Sequence, residues 1–156
     1  MTGCRAACDE GSRSTRCPNE RLEAVYPQRR GSAAEMRAAL RTYLTRYAVD
    51  AGVVYEIVLA ADEAFVNALT HSASGGEIRV SACVSRGAAE IDVHDEGDGF
   101  AHRTSHLRPV PDVSLTNGRG VFLIESMMDS VRVITEPDGT TVRMVRRLAP
   151  TPGTPT

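Results

Sequence analysis

The segment VVYEIVLAADEAFVNALTH, residues 53–71, combines a long apolar stripe with polar side chains at regular intervals. Its apolar residues recur at about 100° per residue, which predicts a helix with one buried face. Glu63 and Asn67 lie far from the centre of that face, and His71 follows one turn later at its edge. Periodicity alone therefore predicts an exposed polar face. The predicted buried face comprises Val54, Ile57, Val58, Ala61, Phe65, Ala68 and Leu69.

The chain on either side of this helix carries further helical and strand patterns. A helix over 32–49, with Ser32 as its N-cap, is predicted to bury Met36, Leu40, Tyr43, Leu44 and Tyr47. A third helix is predicted over 120–130, and strands are predicted over 21–27, 76–87, 88–97, 131–137 and 140–148. This order predicts an α+β fold, a two-layer α/β sandwich with helices on one face of a mixed, mostly antiparallel sheet.

Composition limits the classes of function. The 156 residues are 42% hydrophobic and 24% charged, which predicts one globular domain. The net charge of −2 gives no reason to expect nucleic acid or a membrane surface as partner. All 18 basic residues are arginine, and the lack of lysine excludes P-loop, eukaryotic-type kinase and Schiff-base chemistry. No apolar run is long enough for a membrane span or signal peptide, so we expect a cytoplasmic protein.

The two ends of the chain differ in composition from its middle. We expect a domain over 21–148 between disordered tails at 1–20 and 149–156. The first tail carries three cysteines that we expect to be reduced thiols, because their spacing matches no tight zinc pattern, although a metal or iron–sulfur site is conceivable: Cys4, Cys8 and Cys17. Cys83 lies in an apolar alternation and is predicted to be a small core residue.

Two glycine-rich stretches flank a long loop at 100–117. In DEGDGF, Asp95 ends a strand, and Gly97 and Gly99 allow either an Asp-Gly turn or close approach to a ligand. In NGRGV, Gly118 and Gly120 begin a helix, where free N–H groups and the helix dipole favour phosphate. Each signal is weak alone, but their fixed order is informative.

Four motifs, EAFVNALTH, DEGDGF, GRGVFLI and GTTVRM, resemble the ATP-site motifs of the GHKL, or Bergerat-fold, ATPases. Gyrase B, histidine kinases and MutL share that fold. The resemblance covers about residues 20–148 and is strongest to the short bacterial anti-sigma factor serine/threonine kinases. A chain of this length leaves no room for histidine-kinase dimerisation helices or gyrase transducer domains, so we expect the anti-sigma branch.

The resemblance implies roles for the polar residues of the central helix and of the strand end. Asn67 would bind Mg²⁺ on the phosphates of ATP, because amide oxygens suit this hard ion. Glu63, one turn earlier, would take the proton from an attacking hydroxyl. Asp95 would accept a hydrogen bond from the exocyclic amine of adenine.

The same resemblance assigns the remaining site positions. Gly97 and Gly99 would form the hinge before an ATP lid at 100–117. Thr140 would support the adenine-binding aspartate, although Thr141 could serve instead. His71 would contact the ligand or act as a capping or surface group. The phosphates would be bound after the lid by Gly118, Arg119 and Gly120, whereas surface or lid positions are expected for His94, His102 and His106.

We therefore expect an ATP- and Mg²⁺-dependent protein serine/threonine kinase that also acts as an anti-sigma factor. It would phosphorylate a STAS-type anti-anti-sigma factor, sequester a sigma factor and form a homodimer, as the resemblance implies. Two alternatives remain: an ATP-binding regulatory module without phosphotransfer, and an ATPase domain that works in trans within a signalling system.

Overall fold

The computed structural model describes residues 17–71, 75–96 and 118–150. They form five strands and three helices: β1 (Leu22–Pro27), α1 (Gly31–Arg46), α2 (Ala51–His71), β2 (Glu77–Ser85), β3 (Ala88–Glu96), α3 (Gly118–Met127), β4 (Ser130–Glu136) and β5 (Gly139–Arg147). The predicted order of elements is confirmed. The predicted lid and most of both tails lie outside the described residues.

The strands form one sheet in the order β1-β2-β3-β5-β4. Every pair of neighbours in it is antiparallel. The predicted α+β sandwich is confirmed, and the described sheet is wholly antiparallel rather than mixed. β3 is the central strand, with β1 and β2 on one side and β5 and β4 on the other. The last residues of β3 therefore lie between neighbouring strands and not at an edge of the sheet.

The hydrophobic core lies between the helices and one face of the sheet. Alternate residues of β2 and β3 face the helices, and Ile78, Ile91 and Val93 are almost fully buried there. From the helices, Met36 and Phe65 reach the same core with no exposed surface. Of the stripe predicted for α1, all members are buried except Tyr47, which is half-buried beside the core.

The starts of the two long helices differ from each other. α1 begins at Gly31, so the prediction that Ser32 caps it is wrong. The fully buried Ser32 hydroxyl instead donates to the carbonyl of Pro27 at 2.6 Å, tying the first turn to the end of β1. Asp50 is the side chain that caps α2, because its Oδ1 accepts from the backbone N–H groups of Gly52 and Val53.

The cysteines of the described chain depart from the prediction of reduced thiols. Cys17 and Cys83 form a disulfide, with Cα atoms 5.7 Å apart. Cys83 is buried, but strand alternation places it on the sheet face opposite the helices, and it is not part of the hydrophobic core. The predicted burial is therefore confirmed, but it comes from the covalent partner on that face and not from packing between the helices and the sheet. Cys4 and Cys8 lie outside the described residues.

Substituting Asp50→Ala should lower the free energy of unfolding by about 1 kcal/mol, because two N–H groups at the start of α2 lose their acceptor. Asp50→Asn keeps an acceptor oxygen and should lose much less. Urea unfolding followed by far-UV circular dichroism measures both. Equal losses in the two variants would show that the cap does not stabilise α2.

Candidate functional site

A pocket lies between α2 and the strands β3 and β5. Its walls are mostly small or aliphatic, with three polar side chains among them: Ala64, Asn67, Ala68, Val93, Asp95, Thr140 and Val142. Ala64 and Ala68 are one turn apart on α2 and flank Asn67. These small side chains leave space between helix and sheet where larger ones would fill it. The pocket is thus mostly apolar, with a few polar groups.

Asp95 is the acidic residue of this pocket, and it is buried, with an exposed fraction of 7%. It lies near the end of β3, opposite Thr140 of β5 in the antiparallel register. The backbone N–H of Thr140 donates to Asp95 Oδ1 at 3.0 Å. A buried carboxylate needs such donors, since burying a charge without hydrogen bonds is costly. The side chain is therefore held in a fixed orientation beside the pocket.

Gly139 makes this hydrogen bond possible. Its φ is +155°, and a Cβ atom at this position would lie 1.9 Å from the backbone oxygen of Asp95. No side chain fits against that carbonyl, so only glycine lets β5 begin this close to β3. Gly139 therefore sets the contact between the two strands at the pocket.

The two threonines after Gly139 point to opposite faces of the sheet. Thr140 is 3% exposed and lines the pocket. Thr141 lies on the other face, where its hydroxyl is 2.9 Å from His94 Nδ1. Within the described chain the Thr140 hydroxyl is buried and has no hydrogen-bond partner. An unsatisfied buried hydroxyl beside Asp95 suits a ligand that brings its own donor or acceptor.

Asn67 and Glu63 lie one turn apart on α2. Asn67 is half-buried and lines the pocket, while Glu63 is half-buried one turn towards the start of the helix, roughly 6 Å along its axis. The neighbouring carboxylate differs: Asp62 accepts from Arg37 of α1 at 2.7 Å. Periodicity placed Asn67 on an exposed face, but the structure has it half-buried in a pocket with residues of β3 and β5.

The other predicted site residues are only partly described. His71 is the last residue of α2. Gly118, Arg119 and Gly120 form the first turn of α3, which packs on α2. Gly97 and Gly99 lie outside the described residues. The structure thus brings Asn67, Asp95 and Thr140 together in one pocket, and it adds the apolar walls that sequence reasoning did not identify.

The described residues limit what else this surface can do. Among them, no cluster of three or more histidine, cysteine or acidic side chains is placed to hold a metal ion unaided. None of the helices in the described ranges has the length and apolar character needed to cross a membrane. A metal at this pocket would need ligand atoms from a bound molecule in addition to Asn67.

Comparison with known proteins agrees with this geometry. The sequence model of the histidine kinase-like ATPase domain matches residues 26–146. The serine-protein kinase RsbW of Staphylococcus aureus is 30% identical over an alignment of 130 residues. This alignment covers 74% of this chain and 81% of that protein. The anti-sigma F factor of Halalkalibacterium halodurans is 32% identical over 101 residues, covering 60% of this chain and 68% of the relative.

The fold also matches a solved structure. A crystal structure of the RsbU and RsbW domains of a Mycobacterium tuberculosis protein superposes with a TM-score of 0.64 at 24% identity, over 84% of this chain and 33% of that one. The resemblance inferred from the four motifs is confirmed. The chain therefore belongs to the histidine kinase-like ATPase domain family, together with the RsbW serine-protein kinases.

Proposed function

We propose that this chain is an ATP-dependent serine/threonine protein kinase that acts as an anti-sigma factor. The observation that carries the proposal is the buried Asp95 and Thr140 pair in an apolar pocket beside Asn67. The proposal is further supported by relatives named serine-protein kinase RsbW and anti-sigma F factor. The STAS-type anti-anti-sigma factor is the proposed phosphate acceptor, and a sigma factor is the proposed second partner.

Adenine suits the chemistry of the pocket. Its flat ring would lie against the aliphatic walls, and its exocyclic amine would donate to the Asp95 carboxylate. Guanine carries an oxygen acceptor where adenine carries this amine, so the carboxylate would repel it. The unpartnered Thr140 hydroxyl would add a second polar contact to the base, directly or through a water molecule. The pocket would therefore select ATP over GTP.

The phosphates would extend from the adenine pocket along α2 towards the start of α3. Asn67 would supply a hard oxygen ligand to Mg²⁺, which neutralises phosphate charge when bound. The free N–H groups of the first turn of α3, with Gly118 and Gly120, would donate to phosphate oxygens. Arg119 would add a positive charge there, and His71 at the end of α2 would be a further contact.

Glu63 is the proposed general base. As the substrate hydroxyl attacks the γ-phosphorus, Glu63 would accept its proton while the bond to the β–γ bridging oxygen breaks and ADP leaves. Asp62 is unsuited to this role because it is paired with Arg37 on the α1 side. Gly97 and Gly99 would serve as the hinge of the lid over this site. We further propose a cytoplasmic homodimer, as the resemblance implies.

Calorimetric titration should show saturable binding of ATP with Mg²⁺ and weak binding of GTP. Asp95→Asn should weaken ATP binding by about tenfold or more, because a hydrogen bond to a charged group is lost. Thr140→Val should weaken it by several-fold. Thr141→Val is the matched control on the opposite face and should bind as the parent does. Equal losses at the two threonines would contradict the proposed pocket.

Gly139→Ala should abolish measurable ATP binding, because the added methyl group would force β5 away from Asp95 and displace Thr140. Gly87→Ala is the matched control: Gly87 also has a positive φ, of +89°, but open space where its Cβ would lie. It should lose some thermal stability and keep its ATP affinity. Full affinity in Gly139→Ala would argue against a role for this contact.

Transfer of labelled phosphate from ATP to candidate STAS proteins of the same genome tests the kinase. Glu63→Gln should keep ATP affinity and slow transfer by about 100-fold or more, the usual share of a general base. Asp62→Asn, the adjacent carboxylate, should keep most of the activity. Tight ATP binding with no Glu63-dependent transfer would favour the alternative of an ATP-binding regulator without phosphotransfer.

A further inference from the structure

The disulfide lies on the sheet face opposite the candidate pocket. It joins Cys17, which precedes β1, to Cys83 near the end of β2. Cys17 is half-buried and Cys83 is 6% exposed, so Cys17 is the more exposed of the two residues. The bond lies outside the hydrophobic core, which is complete without either cysteine. Its reduction would leave no cavity among the core residues.

Hydrogen bonds and ion pairs from Asn19, Glu20 and Arg21 also hold the segment 17–21 on the domain. Asn19 Nδ2 donates to the carbonyl of Val84 at 2.6 Å. The hydroxyl of Tyr43 donates to the carbonyl of Glu20 and accepts from the N–H of Val84. Burial raises the pKa of Tyr43, so its hydroxyl stays protonated and keeps the donor role. The Tyr47 hydroxyl also donates to the Glu20 carbonyl at 3.4 Å, and Arg46 lies 3.7 Å from the Glu20 carboxylate. Arg21 donates to the Ser81 hydroxyl at 3.3 Å. All of these contacts are noncovalent, and the disulfide is the only covalent tie between this segment and β2 in the described chain.

Arg21 adds charged contacts on the outer face of the sheet, the face opposite the helices. It lies 3.9 Å from carboxylate oxygens of Glu90 and of Asp92. Those carboxylates have a second cation, because Arg143 forms a two-point hydrogen bond with Asp92 at 2.9 and 2.8 Å. The outer face would therefore keep its charges balanced without Arg21. Release of the segment would leave no buried ion there without an oppositely charged partner.

We propose that Cys17 and Cys83 form a site of reversible thiol–disulfide exchange that tethers the N-terminal segment to the outer face of the sheet. A cellular dithiol is the co-substrate. One of its thiolates attacks Cys17 Sγ and forms a mixed disulfide, while Cys83 leaves and takes up a proton. The second thiol of the dithiol then displaces Cys17. Two electrons and two protons pass to the protein, and the reductant becomes a disulfide.

Reduction has a defined structural consequence. The disulfide closes a loop that contains β1, α1 and α2, with a sequence separation of 66 residues. Breaking it frees residues 17–21 while the core and the pocket keep their contacts. In a reducing compartment disulfides are rare, and those that occur are chiefly redox-responsive. The proposed cytoplasmic location therefore fits a bond that exchanges reversibly. The inference itself rests on the disulfide and its surroundings, not on kinase activity.

Hydrogen exchange with mass spectrometry tests the tether on the full chain with Cys4→Ser and Cys8→Ser, so that only one cysteine pair remains. Dithiothreitol should convert two blocked cysteines into two alkylatable thiols. It should also speed tryptic cleavage after Arg21 by about tenfold or more, while the amides of β3 and β5 stay protected from exchange. Cys17→Ser should show the same pattern without reductant, and Cys8→Ser alone should not.

Three results would overturn the proposal. Air-oxidised protein with both thiols free would mean that the bond does not form. Reduction only after denaturant is added would identify a purely structural disulfide. Loss of far-UV circular dichroism or of protection in β3 and β5 on reduction would show that the bond holds the whole domain. ATP affinity, measured in parallel, reports separately on the nucleotide site, which should be unaffected by the redox state.

Discussion

The hydrogen bond from the Thr140 N–H to the buried Asp95 carboxylate sets both the register of the sheet and the chemistry of the pocket. A charge this deeply buried requires a fixed donor, and Gly139 brings that donor into range by leaving no side chain against the Asp95 carbonyl. A slip of β5 by one residue would bring Thr141 to the pocket face and carry Thr140 to the other. Fold and site therefore depend on the same few atoms.

α2 satisfies two opposing packing requirements. Its bulky side chains, such as Ile57 and Phe65, fill the space above the sheet and fix the separation of the two layers. Ala64 and Ala68, at the edge of that stripe, line the pocket with small side chains at the same separation. The helix thus holds the layers together in its first half and near Phe65, and opens a pocket beside Asn67. Substituting larger residues at the two alanines would fill that space.

Sequence periodicity was sufficient for the element order because each helix and strand buries one regular face. It could not identify partners that are distant in the chain. Ser32 has the residue type of an N-cap, but its hydroxyl bonds to Pro27. Cys83 sits in an apolar alternation, but Cys17 covers it from the opposite face. Neither partner was predicted, because local pattern carries no information about which tertiary neighbour will be present.

For the candidate site, motif order was more informative than helix periodicity. The helical wheel placed Asn67 towards solvent, since it counts only the stripe of α2 and not the residues of β3 and β5 that line the pocket beside it. The choice between Thr140 and Thr141 needed the register of β5 against β3. Val93 and Val142, which line the pocket, were predicted from the sequence only as strand residues. The local sequence pattern does not distinguish a residue that lines a pocket from one that packs in the core.

The two faces of β3 keep the candidate pocket and the disulfide apart. Asp95 and Val93 face the helices, whereas Asp92 and His94 face outward with Arg143 and Thr141 of β5. The hydrogen bond with Asp92 raises the pKa of Arg143, so the guanidinium stays charged, and the bond links β3 to β5 on the outer side. Because that fastening involves neither cysteine, the strands that carry Asp95 and Thr140 stay paired whether the N-terminal segment is bound or free.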